Sequence, residues 1–254
     1  MIIRENNDSF IMIRQHDHAN LSGEITRHFN PSIFKSNQFF EDVVHAAREH
    51  DRGWIDLDET PIWNDTAEAP YSFADYPLLP KLAFYTIGLD EIETINVYAA
   101  LLCSMHFCSF FSQTKNPDGL HFLHAESKRQ KNIKKNLPVL DEDLLHQHFR
   151  LLQFSDDLSL YLCLNEPGVE KDHEHPWFKK GFRNTELFNP RRDPLTAHWQ
   201  DSHKVTVDPF PFLEEFQLTL IFKKVSKQAM RELGIAQAYR MAEVDQQRIY
   251  IMRS

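Results

Sequence analysis

Ala46-Ala47-Arg48-Glu49-His50-Asp51-Arg52-Gly53-Trp54 is a helical run that closes on an adjacent histidine and aspartate. Upstream, Phe39, Val43, Ala47 and His50 recur four, four and three residues apart, the spacing of one helix face. That face carries His50 toward the core, with Asp51 beside it. A buried imidazole and carboxylate both lose hydration, and the usual compensation is a metal, an opposite charge or a full set of hydrogen bonds. Taken alone, the pair also fits a satisfied core histidine next to a surface aspartate. Partners elsewhere in the chain decide between the two.

Three other segments offer such partners. A helix is expected from Gln15, with Asp17 as N-cap and Asn30-Pro31 as its end. His18, Leu21, Ile25 and Phe29 share its stripe, so His18 faces inward and His16 sits just before the helix. In a helix over 90–112, His106 falls on the buried face with Ile92, Ile95, Ala99 and Leu102. The third helix, 141–164, is capped by Asp141 after Pro138 ends the preceding unit. At about 100° per residue, Leu145, Leu152, Ser159 and Cys163 cluster on one side of it. Asp156 lies within roughly 40° of that side, whereas Asp157 points well away.

Composition narrows the function classes. With 254 residues the chain can bury a substantial core, and its 42% hydrophobic content with only 7 glycines argues against disorder. A net charge of -9 removes the basic footprint of a nucleic-acid binder. Cys103, Cys108 and Cys163 form no C-x-x-C pair and read as buried thiols of a reducing compartment. No signal-peptide profile opens the chain, and the apolar stretch near 94–111 is too polar to span a bilayer. A cytoplasmic location is therefore expected.

The remaining segments are less periodic. Residues 2–4 and 10–15 read as a β-hairpin, and 53–90 as a long irregular loop rich in proline and aromatics. Asn116-Pro117-Asp118-Gly119 opens a segment, 116–137, that carries His121, His124 and the basic run 128–135. That run suits a solvated face or a surface that holds an anion. Asp172-His173-Glu174-His175 is a weak metal candidate in an aperiodic region, 168–212. Strands are expected at Val205–Val207, Leu218–Val225 and Arg248–Met252, with a helix near 229–242 between the last two. No repeat or linker divides the chain, so a single domain over 1–254 is expected, with residues 166–254 elaborating a helical core.

His18, His50 with Asp51, and Asp156 thus place two imidazoles and two carboxylates on three helices, a donor set suited to a divalent transition metal. The order His, His-Asp, Asp on successive helices resembles the HD-domain superfamily of metal-dependent phosphohydrolases. Phe154-Ser155-Asp156-Asp157-Leu158-Ser159 is similar to the context of that superfamily's last aspartate. The strings Gln15–Gly23 and Glu49–Trp54 look closer still to a bacterial family catalogued only as a domain of unknown function. Ala19 departs from the small polar residue usual after the first histidine, and the 53–90 loop is an insertion.

The superfamily resemblance covers roughly 15–165. It implies a mainly α fold, an HD-type helical bundle, to which the N-terminal hairpin and C-terminal strands would add a small antiparallel sheet. It also implies a Mn, Fe, Ni, Co or Zn ion on His18, His50, Asp51 and Asp156, and a small phosphorylated substrate. Asp51 would orient water, and Arg52 or the 128–135 run would neutralise phosphate charge. His16, His106, His121 and His124 are candidates for a second metal or for substrate. Two rivals remain: a di-iron oxygenase, which needs His106 with His121 or His124, and a non-catalytic binding module of the same fold.

Overall fold

A computed structural model describes residues 1–137 and 140–254; Pro138, expected to end a helical unit, lies outside the described residues. The chain opens with strands β1 (Ile2–Glu5) and β2 (Ser9–Ile13), the expected hairpin. Helix α1 follows over Gln15–His28. Arg14, not Asp17, is its N-cap residue; Asp17 sits in the first turn and accepts from the Arg14 guanidinium at 2.8 Å. Helix α2 (Phe40–Glu49) ends at His50, and a 3-10 turn over Arg52–Trp54 leads into the short α3 (Ile55–Glu59).

The expected long loop is much shorter than 53–90. It contains the two-residue strands β3 (Trp63–Asn64) and β4 (Ala69–Pro70), and helix α4 begins at Leu78 and runs to Ile95. Pro80 signals a loop by composition, but it lies in the helix's first turn, where a missing N–H has no intrahelical partner to lose. The single helix expected over 90–112 is divided at Asn96, whose side chain accepts from Ala99 N–H and caps α5 (Val97–Phe110). Helix α6 (Pro117–Asn136) starts from the Asn116 cap, and α7 (Glu142–Leu164) from the Asp141 cap.

The C-terminal part overturns the expected fold class. Strands β5 (Thr196–Trp199), β6 (Lys204–Asp208) and β7 (Phe216–Ser226) are followed by helices α8 (Lys227–Leu233) and α9 (Ile235–Met241), then β8 (Val244–Arg253). They join the hairpin in one six-stranded sheet of order β1-β2-β7-β8-β6-β5. The β6–β8 pair is parallel, so the sheet is mixed. With 52% helix and 18% strand the protein is α+β, not a mainly α bundle with a small antiparallel sheet. β5 was hidden in a stretch read as aperiodic, and the helix expected over 229–242 is split by Gly234, which adopts a positive φ of 78°.

The sheet has two kinds of cover. Phe216, Leu218 and Leu220 alternate with exposed Gln217, Thr219 and Ile221, giving β7 one apolar face. Every residue of β2 is buried. Its Ile11 and Ile13 join the helical core, while Phe10 and Met12 pack with Met230, Ala238 and Tyr239 of α8 and α9. The helical layer is knitted by short side chains. Ser22 of α1 meets Ser159 of α7 at 2.8 Å, and Thr26 donates to Ser155 at 2.8 Å. These fully buried hydroxyls satisfy one another and let the two helices approach closely.

A second close approach fixes the end of α2. A Cβ on Gly53 would drive into the Phe84 carbonyl oxygen, and one on Gly88 would come within 2.6 Å of Gly53 N. Trp54, buried beside Tyr76 and Tyr85, anchors the same turn against α4. Gly53→Ala should therefore lower unfolding free energy by roughly 2–4 kcal/mol, since backbone has to move to admit the methyl group. Urea denaturation measures this; a loss below about 0.5 kcal/mol would contradict the packing.

His148 is fully buried between α5 and α7, with Nδ1 2.8 Å from Tyr98 Oη. Burial pushes its pKa down from 6.5 to about 4. Between these two values the unfolded chain takes up a proton that the folded chain refuses. Stability present above pH 6.5 should thus be lost as pH falls toward about 4, by about 3 kcal/mol at most. Thermal midpoints across that window should fall less steeply in His148→Gln; identical slopes would refute the assignment.

Candidate metal centre

Four helices bring five metal-capable side chains to one point. His18 comes from the first turn of α1, His50 and Asp51 from the end of α2, His106 from α5 and Asp156 from α7. All five are buried. His18 Nε2 lies 3.1 Å from Asp156 Oδ1, 3.5 Å from Asp51 Oδ2 and 3.3 Å from His50 Nε2. His50 Nε2 lies 3.4 Å from Asp156 Oδ1 and 3.5 Å from Asp51 Oδ2. His106 Nε2 approaches the other Asp156 oxygen at 3.2 Å.

These separations fit a shared ion. Ligand atoms at about 2.1 Å from a metal stand about 3.4 Å apart in a tetrahedron and about 3.0 Å apart in an octahedron. The five distances among the His18, His50, Asp51 and Asp156 atoms span 3.1–3.5 Å. Two triads, His18-His50-Asp51 and His50-His106-Asp156, each bring three ligand atoms within 4.8 Å of one another. The two triads share His50.

The outer hydrogen bonds set the tautomers. Ser159 Oγ donates to the Asp156 carbonyl at 2.9 Å, so it can accept from His18 Nδ1–H at 2.6 Å. His50 Nδ1–H donates to Ala47 O at 2.8 Å. Each anchored Nδ1 leaves an Nε2 lone pair aimed at the cluster, the arrangement in which a metal-ligating histidine is held. Asp51 Oδ2 accepts from the Gln15 amide at 2.9 Å. His106 differs: its buried Nδ1 has no partner.

Charge sharpens the picture. Burial alone would depress His18 and His50, but the carboxylates of Asp156 and Asp51 outweigh it and raise both, His18 strongly. Burial would raise Asp156, yet hydrogen bonds from His106, His18 and His50 hold it well below the usual carboxylate range. The carboxylates thus favour positive charge among these groups, which a cation or bound protons can supply.

The cluster forms the floor of a cavity of about 610 Å³. Its walls carry three cations, Lys81, Arg150 and Arg183, and an aromatic group that includes Phe73, Phe110 and Trp177. Asp157 also lines it, although helical angle placed that side chain away. Burial, then the Asp156 charge, pushes Asp157 up to about 7, with Arg183 opposing.

Other candidates lie elsewhere. Arg52 pairs with Glu49 at 2.9 Å and Glu91 at 2.6 Å and does not line the cavity. His121 and His124 are exposed on α6, and His16 is half-buried away from the cavity. The 128–135 run does not reach the cavity either. In the Asp172–His175 cluster, Glu174 is buried as an acceptor from Tyr161 at 2.6 Å and a partner of Lys171 at 2.7 Å, while Asp172 and His173 stay exposed on the surface. The cysteines are free, with Cys103 and Cys163 buried and Cys108 half-buried.

Fold and cluster together define an α+β protein with a buried His/Asp centre able to hold a metal ion. A family described as a protein of unknown function, DUF3891, matches residues 1–227, and the chain belongs to it. No curated protein and no solved structure matches. Among the described residues no helix is long and apolar enough to cross a membrane.

Because Ser159 fixes the His18 tautomer, Ser159→Ala should weaken metal affinity about ten- to hundredfold without unfolding the protein. Competition against a chromophoric chelator measures it; unchanged affinity would remove Ser159 from the site.

Proposed function

We propose that the protein is a metal-dependent phosphohydrolase of HD type, acting on a small phosphate ester. The observation that carries this reading is the convergence of His18, His50, Asp51 and Asp156 at 3.1–3.5 Å on the floor of an open cavity. The same residues in the same order underlie the resemblance to the HD superfamily. His18, His50, Asp51 and Asp156 would hold a divalent transition ion, and His106 stands against the second oxygen of Asp156 as a further ligand. Such an ion lowers the pKa of water and polarises a phosphoryl oxygen.

The chain's own groups supply the rest. Gln15 holds the orientation of Asp51 through its amide, which keeps that carboxylate oxygen fixed toward the cluster. The aromatic wall limits water access, and Lys81 on that wall favours an anionic substrate. A di-iron oxygenase has less support, because His121 and His124 stand outside and one histidine serves both triads.

Protein supplied with Mn²⁺, Co²⁺ or Ni²⁺ should hydrolyse 4-nitrophenyl phosphate or a member of a phosphomonoester panel. Asp156→Ala and His50→Ala should lose that activity at least a hundredfold while remaining folded. A folded, metal-loaded parent with no turnover across the panel would contradict the hydrolase and leave a binding module.

A further inference from the structure

The upper wall of the cavity contains charge that the metal centre does not use. Among the described residues, neither Arg150 nor Arg183 has a carboxylate oxygen within 4.0 Å. Arg150 donates to the neutral Gln153 amide at 2.6 Å. Some other guanidinium groups of the protein are neutralised by carboxylates. Arg129 pairs with Asp90, Glu93 and Glu126, and Arg52 with two glutamates. Two guanidinium groups without a carboxylate partner thus line the same cavity as the His/Asp cluster.

Their position separates them from the metal ligands. Arg150, Gln153, Asp157 and Leu160 form the cavity-facing stripe of α7. Arg150 lies six residues before Asp156, about 9 Å along the helix axis, and helical side chains lean further toward the N-terminus. Arg183 stands on a turn next to Asn184, whose φ of 62° is left-handed. Arg150 and Arg183 line the same cavity from these two segments.

The same cavity also presents aromatic surface. Trp177 is 50% exposed and meets Phe73 edge-on at 6.2 Å, and Phe110 is 55% exposed. These rings come from three separate segments and converge on the same opening. Exposed aromatics gathered at a cavity mouth suit a flat ligand that covers them.

We propose that Arg150 and Arg183 form a second anion subsite, so that the ligand is an aryl or heteroaryl phosphate with a further anionic group at its far end. Only the phosphate end of this assignment rests on the phosphohydrolase reading. The aromatic ring lies against Trp177 and Phe73, and the far anion takes forked hydrogen bonds from the guanidinium groups.

The test compares phenylphosphonate with 4-carboxyphenylphosphonate, neither of which has an ester bond to hydrolyse, by isothermal titration calorimetry. The parent should bind the carboxylated probe about tenfold more tightly, the scale of one charge-assisted hydrogen bond. Arg150→Gln and Arg183→Gln should each reduce that gain and the double variant abolish it, with phenylphosphonate affinity unchanged. Trp177→Ala should weaken both probes to the same extent. Equal affinities in the parent, or a gain that survives in the double variant, would overturn the subsite. Failure of the phosphohydrolase reading shows separately, as phenylphosphonate affinity unaltered by Asp156→Ala. Matching thermal midpoints establish that the variants are folded.

Discussion

Asp156 is a carboxylate buried against three imidazoles, and the placement of four helices follows from keeping it there. A buried anion is costly unless opposite charge and hydrogen bonds surround it. His18, His50 and His106 each approach it from a different helix, at 3.1–3.4 Å. Removing any one of these helices would expose the others' polar groups to an apolar core. The Ser22–Ser159 and Thr26–Ser155 contacts let α1 and α7 come close enough for the arrangement, and the Gly53–Gly88 approach presses the end of α2 onto α4.

Rigidity and opening are divided in the same way. The ligand set is buried, and the outer bonds of His18 and His50 run to a hydroxyl and a backbone carbonyl, which fixes those two rings before anything binds. The cavity above it is lined by longer and more exposed groups such as Arg183, Trp177 and Phe110. A preorganised floor under a cationic and aromatic wall suits a ligand-binding site.

The floor was legible in the sequence because helical periodicity resolves direction. His18, His50 and His106 fell on apolar helical stripes and Asp156 within roughly 40° of one, and each is buried. The wall was not legible. Arg183 and Trp177 lie in a segment with no period, and only tertiary packing brings them to the cavity. Asp157 shows the limit of angle arithmetic, because a wide cavity accepts residues on both sides of a stripe. The sheet was underestimated for a related reason. Its parallel β6–β8 pair joins segments separated by β7 and two helices, and no local pattern reports such a pairing. Local signals also misplaced breaks: Pro80 suggested a loop inside α4, while Asn96 ended a helix in the middle of an apolar run.

The central claim is that the five-residue cluster holds one divalent ion. Elemental analysis by mass spectrometry, on tag-free protein and on Asp156→Ala purified in parallel, tests it most directly. About one equivalent of a first-row transition metal per chain is expected in the parent, with a large loss in the variant. A parent that carries no metal and takes none up on addition of Mn²⁺, Fe²⁺, Co²⁺, Ni²⁺ or Zn²⁺ would contradict it, and would make the cluster a proton-bridged core.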